Sequence, residues 1–287
     1  MDLNDLILER LENCQELAEL LATFAGSPAI FKSEFPSDQS DGWEEGQYPR
    51  ICFRVDMQIN QERSASGTLV IAIYADKSGL VLDVLESIIR DKLKDILMMP
   101  DGTAPFCVAW SSTTPYILEG NAVDCRELLF DILEYPSQET TDPDPIMALS
   151  AYIKNMYPEA VVMGLDRVER YTDPAFSPVF FCRLQSLRKV EGHCMHSISW
   201  FESRISVHLL CPDASDRLKM ISAINSSLGL DEEIIMLDDS PMEIKELVLD
   251  NKADYLREGQ LTVVGKYGCL KTVEKKQDLR YFLFSIS

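Results

Sequence analysis

The stretches YPRICFRVDM, residues 48–57, and SPVFFCRLQSL, residues 177–187, decide how the whole chain is read. With Pro49 laid on Pro178, Ile51 meets Phe180, Cys52 meets Phe181, Phe53 meets Cys182, Arg54 meets Arg183 and Val55 meets Leu184. A second match follows in the same order. RELLFDI at 126–132 lies on RYFLFSI at 280–286, so that Arg126, Leu129, Phe130 and Ile132 meet Arg280, Leu283, Phe284 and Ile286. Self-similarity in a fixed order predicts a duplicated unit. A chain of 287 residues is long enough to give each copy its own core.

Working outward from the first match, each copy acquires the same set of predicted elements. In the first half, Leu3, Leu6, Ile7, Leu11, Cys14, Leu17, Leu21 and Phe24 share one helical face, and Gly26, Ser27 and Pro28 stop the helix. AIF at 29–31 is a short apolar piece, and the polar stretch SEFPSDQSDGWEEGQ after it is expected as an exposed loop. Ile51, Phe53 and Val55 then alternate with Cys52 and Arg54, as a strand requires, and TLVIAIYAD supplies its antiparallel partner. Val84, Leu85, Ile88, Ile89, Leu93, Ile96 and Leu97 mark a long amphipathic helix, which Pro100, Asp101 and Gly102 end; FCVAW and CRELLFDIL complete the unit as strands.

EYPSQETTDPDP, 134–145, has three prolines and no apolar period, so it is expected to link two domains. The second half repeats the pattern, with a helix carrying Ile146, Leu149, Ile153 and Met156, the strands VFFCRL and SRISVHLLC, the helix DASDRLKMISAINSSLG, and the closing strands LTVVGKYG and LRYFLFSI. The distance between matched elements grows along the chain, which places an insertion near residues 229–258, with PMEIKELVLDN as an added helix. The expected fold is α+β: two copies of a mainly antiparallel sheet packed by helices, over residues 1–135 and 146–287, with strand order left open.

Composition narrows the function classes. Asp and Glu number 47 against 27 Lys and Arg, a formal charge of -20, which offers no basic patch for sequence-specific reading of nucleic acid. No apolar run reaches the length of a membrane span, and the acidic amino terminus lacks the basic segment of a signal peptide. Eight scattered cysteines without C-x-x-C spacing point to a reducing, cytoplasmic setting.

Few residues suggest chemistry. The three histidines include His193 and His196 beside Cys194 in KVEGHCMHS, but His208 and Cys211 fall on opposite faces of a strand, so a metal set does not assemble. Nucleophile elbows and glycine-rich phosphate loops are absent from the sequence, and LDDSPME, 237–243, suits a helix cap better than a cation loop. No catalytic residue, cofactor or metal is expected. Arg54 and Arg183 recur at matching strand positions, either lining solvated sheet faces or pairing with acids of another subunit. With Trp43, Glu62 and Arg63 in the polar loops 33–47 and 57–66, they are the candidate subunit-interface residues.

Residues 3–135 resemble the tail terminator, or tail completion, proteins of long-tailed bacteriophages and prophages. The likeness rests on YPRICFRVD, ERSASGTLVIAIYAD, IIRDKLKDILMMPDGTAPFCVAW and RELLFDI, in that order. The second half resembles the family through its repeat of the first. The resemblance implies a structural, non-enzymatic protein that forms a ring on the tail tube, stops its growth and meets the head–tail connector. It would be made in the cytoplasm of a bacterial host and end in the neck of the virion. Single-domain members of that family form hexamers, so two copies per chain suggest a ring of three chains with pseudo-sixfold symmetry, its acid-rich bore repelling the DNA that passes through. The alternative from the residues themselves is a tandem α+β protein that holds a small molecule at the junction of its sheets.

Overall fold

The structure, a computed structural model, describes residues 1–44, 46–58, 65–76, 79–118, 123–138, 140–190 and 197–270. In the first half the elements are α1 (Leu3–Glu12), α2 (Gln15–Ala18), β1 (Thr23–Phe24), β2 (Ser27–Pro28), β3 (Ile30–Lys32), β4 (Arg50–Met57), β5 (Gly67–Asp76), α3 (Gly79–Leu93), β6 (Leu97–Met98), β7 (Phe106–Leu118) and β8 (Val123–Glu134). In the second they are α4 (Pro145–Met156), β9 (Val161–Val162), β10 (Tyr171–Thr172), β11 (Val179–Lys189), β12 (Ile198–Leu210), α5 (Ala214–Asp231), β13 (Glu233–Ile235), β14 (Pro241–Leu249) and β15 (Leu261–Leu270).

The strands form two large sheets, ordered β10-β6-β7-β8-β5-β4-β3 and β13-β14-β15-β12-β11-β9. Pairing is antiparallel throughout both except for β3 on β4 and β9 on β11. The fold is therefore α+β with mainly antiparallel sheets. Each sheet contains the same path: a helix, a short strand parallel to the next, a hairpin, a second helix, and a last hairpin inserted beside the second strand. The register matches as well, since Ile51 pairs with Ile30 and Ile73 where Phe180 pairs with Val162 and Leu209.

Helices cover one face of each sheet because their apolar stripes have nowhere else to be buried. Leu6, Ile7 and Leu11 of α1 and Leu85, Ile89 and Leu93 of α3 pack on Ile51, Phe53, Leu69, Ile71, Leu128 and Phe130. Leu149 and Ile153 of α4 and Ile221, Ile224 and Leu228 of α5 pack on Phe180, Val207, Leu209, Leu261 and Val263. Asp144 caps α4 by accepting from the backbone N–H groups of Ile146 and Met147 at 2.8 and 3.3 Å.

Several expectations change. The first helix breaks into α1 and α2, with Phe24 on β1, and α3 ends at Leu93, with Leu97 on β6. PMEIKELVLDN is a strand, β14, and not a helix. Its apolar residues 242, 244, 247 and 249 include a three-residue step because the register shifts between Ile244 and Glu246, and that step imitates helical spacing. With β13 it lies within residues 229–258, beyond the end of α5 at Asp231, and β14 takes beside β15 the place that β7 holds beside β8. Among the described residues LTVVGKYG is the last strand of its sheet: β15 pairs with β12 as β8 pairs with β5, so β15 stands where RELLFDI stands in the first half. The matched segment 280–286 lies outside the described residues. LDDSPME makes a hairpin turn, in which the backbone N–H and hydroxyl of Ser240 donate to Asp238 Oδ1 at 3.1 and 2.6 Å, and no helix follows it.

The linker is not free of the body. Tyr135 is buried, Gln138 accepts the N–H of Leu184 at 2.7 Å, and the hydroxyls of Thr141 and Tyr267 are 2.7 Å apart. Among the described residues no helix is long and apolar enough to cross a membrane.

Candidate functional site

The two sheets meet through the faces that the helices leave open. Cys107 and Ala109 on β7, Leu133 at the end of β8, and Tyr135 beyond it form a corner of the first half. That corner packs on Val179 and Phe181 of β11, Leu210 of β12, and Met163 and Leu256 of the second half. Tyr135 stands edge-on to Phe181 at 5.2 Å and gives its hydroxyl hydrogen to the Leu256 carbonyl at 3.2 Å. Outward residues of these strands are apolar because they are buried too, on the side that alternation alone assigns to solvent.

Around this third core lies a buried polar set. His208 is fully buried, and its Nδ1 is 3.2 Å from the carbonyl oxygens of both Tyr255 and Leu256. Carbonyls only accept, so Nδ1 carries the proton and Nε2 accepts from Ser206 Oγ at 3.2 Å. Burial pushes the imidazole pKa down to about 4, with the Arg183 charge adding to the effect. Tyr255 also donates its hydroxyl to Asp95 Oδ1 at 2.7 Å, and Arg217 stacks 3.8 Å above its ring. Asp95 is 2% exposed, its Oδ2 has no hydrogen-bond partner, and burial raises its pKa. Gly259 sits where a Cβ would meet the Val207 carbonyl at 2.8 Å, with φ +78°, so glycine lets this loop close on His208.

Beside the set runs a groove of about 800 Å³ between α3, β7 and the 252–257 loop. Its walls carry Arg90 stacked on Trp110 at 3.8 Å, Arg126 bonded to Glu86 at 2.7 Å, and Arg257 paired with Asp131 of the opposite half. Cations and acids mostly satisfy one another here, so the arrangement works as a latch. His208, Tyr255 and Asp95 are each held toward the uncharged form by burial, which suits a dry joint.

The sequence-predicted residues separate. Arg54 is exposed on the outer face of β4. Arg183, its counterpart, is half-buried and donates to the Glu134 carbonyl at 3.1 Å, so it joins the two halves of one chain. Trp43 packs edge-on to Phe24 and Phe31 and donates to the Ser37 carbonyl at 3.0 Å. Glu62 and Arg63, like His193, Cys194 and His196, lie outside the described residues. Among those described, no three His, Cys, Asp or Glu side chains gather as a metal set.

The loop 33–47 is far from a solvated spacer. Arg50, 2% exposed, is held by Asp38 Oδ1 at 2.7 Å and by the Tyr48 hydroxyl at 3.2 Å, and its guanidinium lies 3.8 Å over the Phe35 ring. Three aromatics in an otherwise polar stretch, Phe35, Trp43 and Tyr48, are the sequence signal for this cover. Tyr135, Asp95 and Tyr255 carry no such signal, because nothing local marks which strand end meets another sheet.

The chain matches no protein-family model and no curated protein.

Proposed function

We infer that the protein is a non-enzymatic, ring-forming tail terminator or neck component of a bacteriophage or related particle. Its partners would be copies of itself, the tail tube protein and the head–tail connector. The observation that carries this reading is the way the halves meet. They follow one topology but touch through non-equivalent surfaces, a β7–β8 corner against a β11–β12 face. Contacts of that heterologous kind continue from unit to unit and close into rings when the rotation permits. A chain with two such units makes a pseudo-sixfold ring from three copies. The acid excess of the chain keeps DNA phosphates from binding in transit.

The test is electron microscopy of the protein mixed with polymerising phage tail tube protein. Tubes with a ring at one end and arrested growth are expected; tubes that elongate unchanged, with no density at their ends, overturn the reading. The junction groove supports a second reading, a small molecule held between the halves. A ligand that raises the melting temperature, and loses that effect in Trp110→Ala, would favour it.

A further inference from the structure

One loop reaches from the second half onto the first. Residues 250–259, which join β14 to β15, send three groups across: the Tyr255 hydroxyl donates to Asp95 Oδ1 at 2.7 Å, the Leu256 carbonyl accepts the Tyr135 hydroxyl at 3.2 Å, and Arg257 pairs with Asp131. On its own side the loop is held by His208, whose Nδ1 is 3.2 Å from the Tyr255 and Leu256 carbonyls, and by Arg217 stacked on the Tyr255 ring. The Leu256 carbonyl is thus gripped from both halves at once, by Tyr135 and by His208.

His208 stands outside both helix-covered cores. It pairs with Phe181 across β11 and β12 on the face that meets the first half, and the core beneath α1 and α3 and the core beneath α4 and α5 each close without it. Water therefore reaches the imidazole when the halves part, with neither core opened. The groups that face it are Arg183 on β11, Ser206 on its own strand, Asp254 and Tyr255 on the loop, and Tyr135 of the first half, whose ring is 6.2 Å away; Asp95 lies beyond Tyr255. A proton added at Nε2 puts a second cation beside Arg183 in a buried joint, which favours parting over staying closed.

We propose that the loop 250–259 is an acid-released clasp: a proton taken up by His208 frees the loop and parts the halves while the core of each half stays closed. β10, paired with β6, and the linker keep the parted halves tethered. The imidazole takes up its proton near about 4 in the closed joint and near 6.5 when solvated, so falling pH favours the open form, by about fifty-fold between pH 7 and pH 4.5 for His208 alone. Asp95 opposes this in part, since burial raises its pKa in the closed joint. Such a clasp works in a lone chain as it does in a ring.

Cys107 reports on the joint. Its thiol is fully buried in the joint core, whereas Cys14 and Cys182 belong to the helix-covered cores of the first and second halves. The full chain is treated with a dipyridyl disulfide, which stays reactive toward thiols in acid, and each cysteine is followed by peptide mass spectrometry, with protection measured against the urea-unfolded chain at the same pH. Between pH 7 and pH 4.5 the protection of Cys107 should fall about tenfold or more, with that of Cys14 and Cys182 unchanged. In His208→Asn, whose amide can still donate to the loop carbonyls, the fall should disappear. Constant protection of Cys107, or a loss shared equally by all three cysteines, overturns the proposal on the unmodified protein alone. A folded His208→Asn variant with an undiminished fall overturns it as well.

Discussion

At the residue scale the joint between the halves sets how the protein responds to acid. His208 titrates near about 4 when folded and near 6.5 when exposed, so the unfolded chain takes up a proton first as pH falls. Its contribution is complete above about 6.5 and is lost on the way down to about 4; that gap corresponds to about 3 kcal/mol. The charged and polar groups facing it are Arg183, Ser206, Asp254 and the carbonyls of residues 255 and 256. Asp95 acts in the opposite sense, because burial raises its pKa and protonation relieves it. His208→Asn should therefore flatten the fall in melting temperature between pH 7 and pH 4.5, measured by circular dichroism. An equally steep fall would show that His208 is not the acid-sensitive group. Tyr135→Ala should lower stability by about 3–5 kcal/mol, the cost of removing a buried aromatic, since it opens the joint and takes from the Leu256 carbonyl one of its two donors. Chemical denaturation measures this directly.

At the scale of elements, most of the path is legible in the sequence, and what is not has separate physical causes. Ile51, Phe53 and Val55 alternate inward as a half-buried strand must, and the helical stripes of α1 and α3 are clean, so these elements are read from pattern alone. β14 reads as a helix in sequence because one bulge turns a period of two into an apparent turn of helix. The match of RELLFDI to 280–286, which lies outside the described residues, is what places an insertion at 229–258. In the structure β15 pairs with β12 as β8 pairs with β5, so β15 already stands where RELLFDI stands in the first sheet. The covering role of 33–48 was hidden for a different reason, since a polar composition describes the loop's outside while its three aromatics point to the sheet. Of the candidate interface residues, Arg183 stands at an interface, though within one chain, because strand alternation says which face a residue takes and not what covers that face. Asp144→Ala should cost about 1 kcal/mol through loss of the α4 cap, a modest change that leaves the two-sheet arrangement and its melting cooperativity intact.

At the scale of the whole molecule, the two sheets are joined more closely than separate domains on a linker. β10, from the second half, extends the first sheet by pairing with β6, and Tyr171 donates to the Leu6 carbonyl at 2.8 Å. Arg170 pairs with Glu9 at 3.1 Å. The chain should thus unfold in one transition in denaturant, with both halves lost together; two separated transitions would mean that the joint contributes little. In the proposed ring, a fixed angle between units is what would let successive heterologous contacts close.

Light scattering of the full chain over a wide concentration range decides whether the proposed ring forms. A mass that rises with concentration and then stops at three chains is expected. A single-chain mass at every concentration, or growth without limit, would contradict the ring.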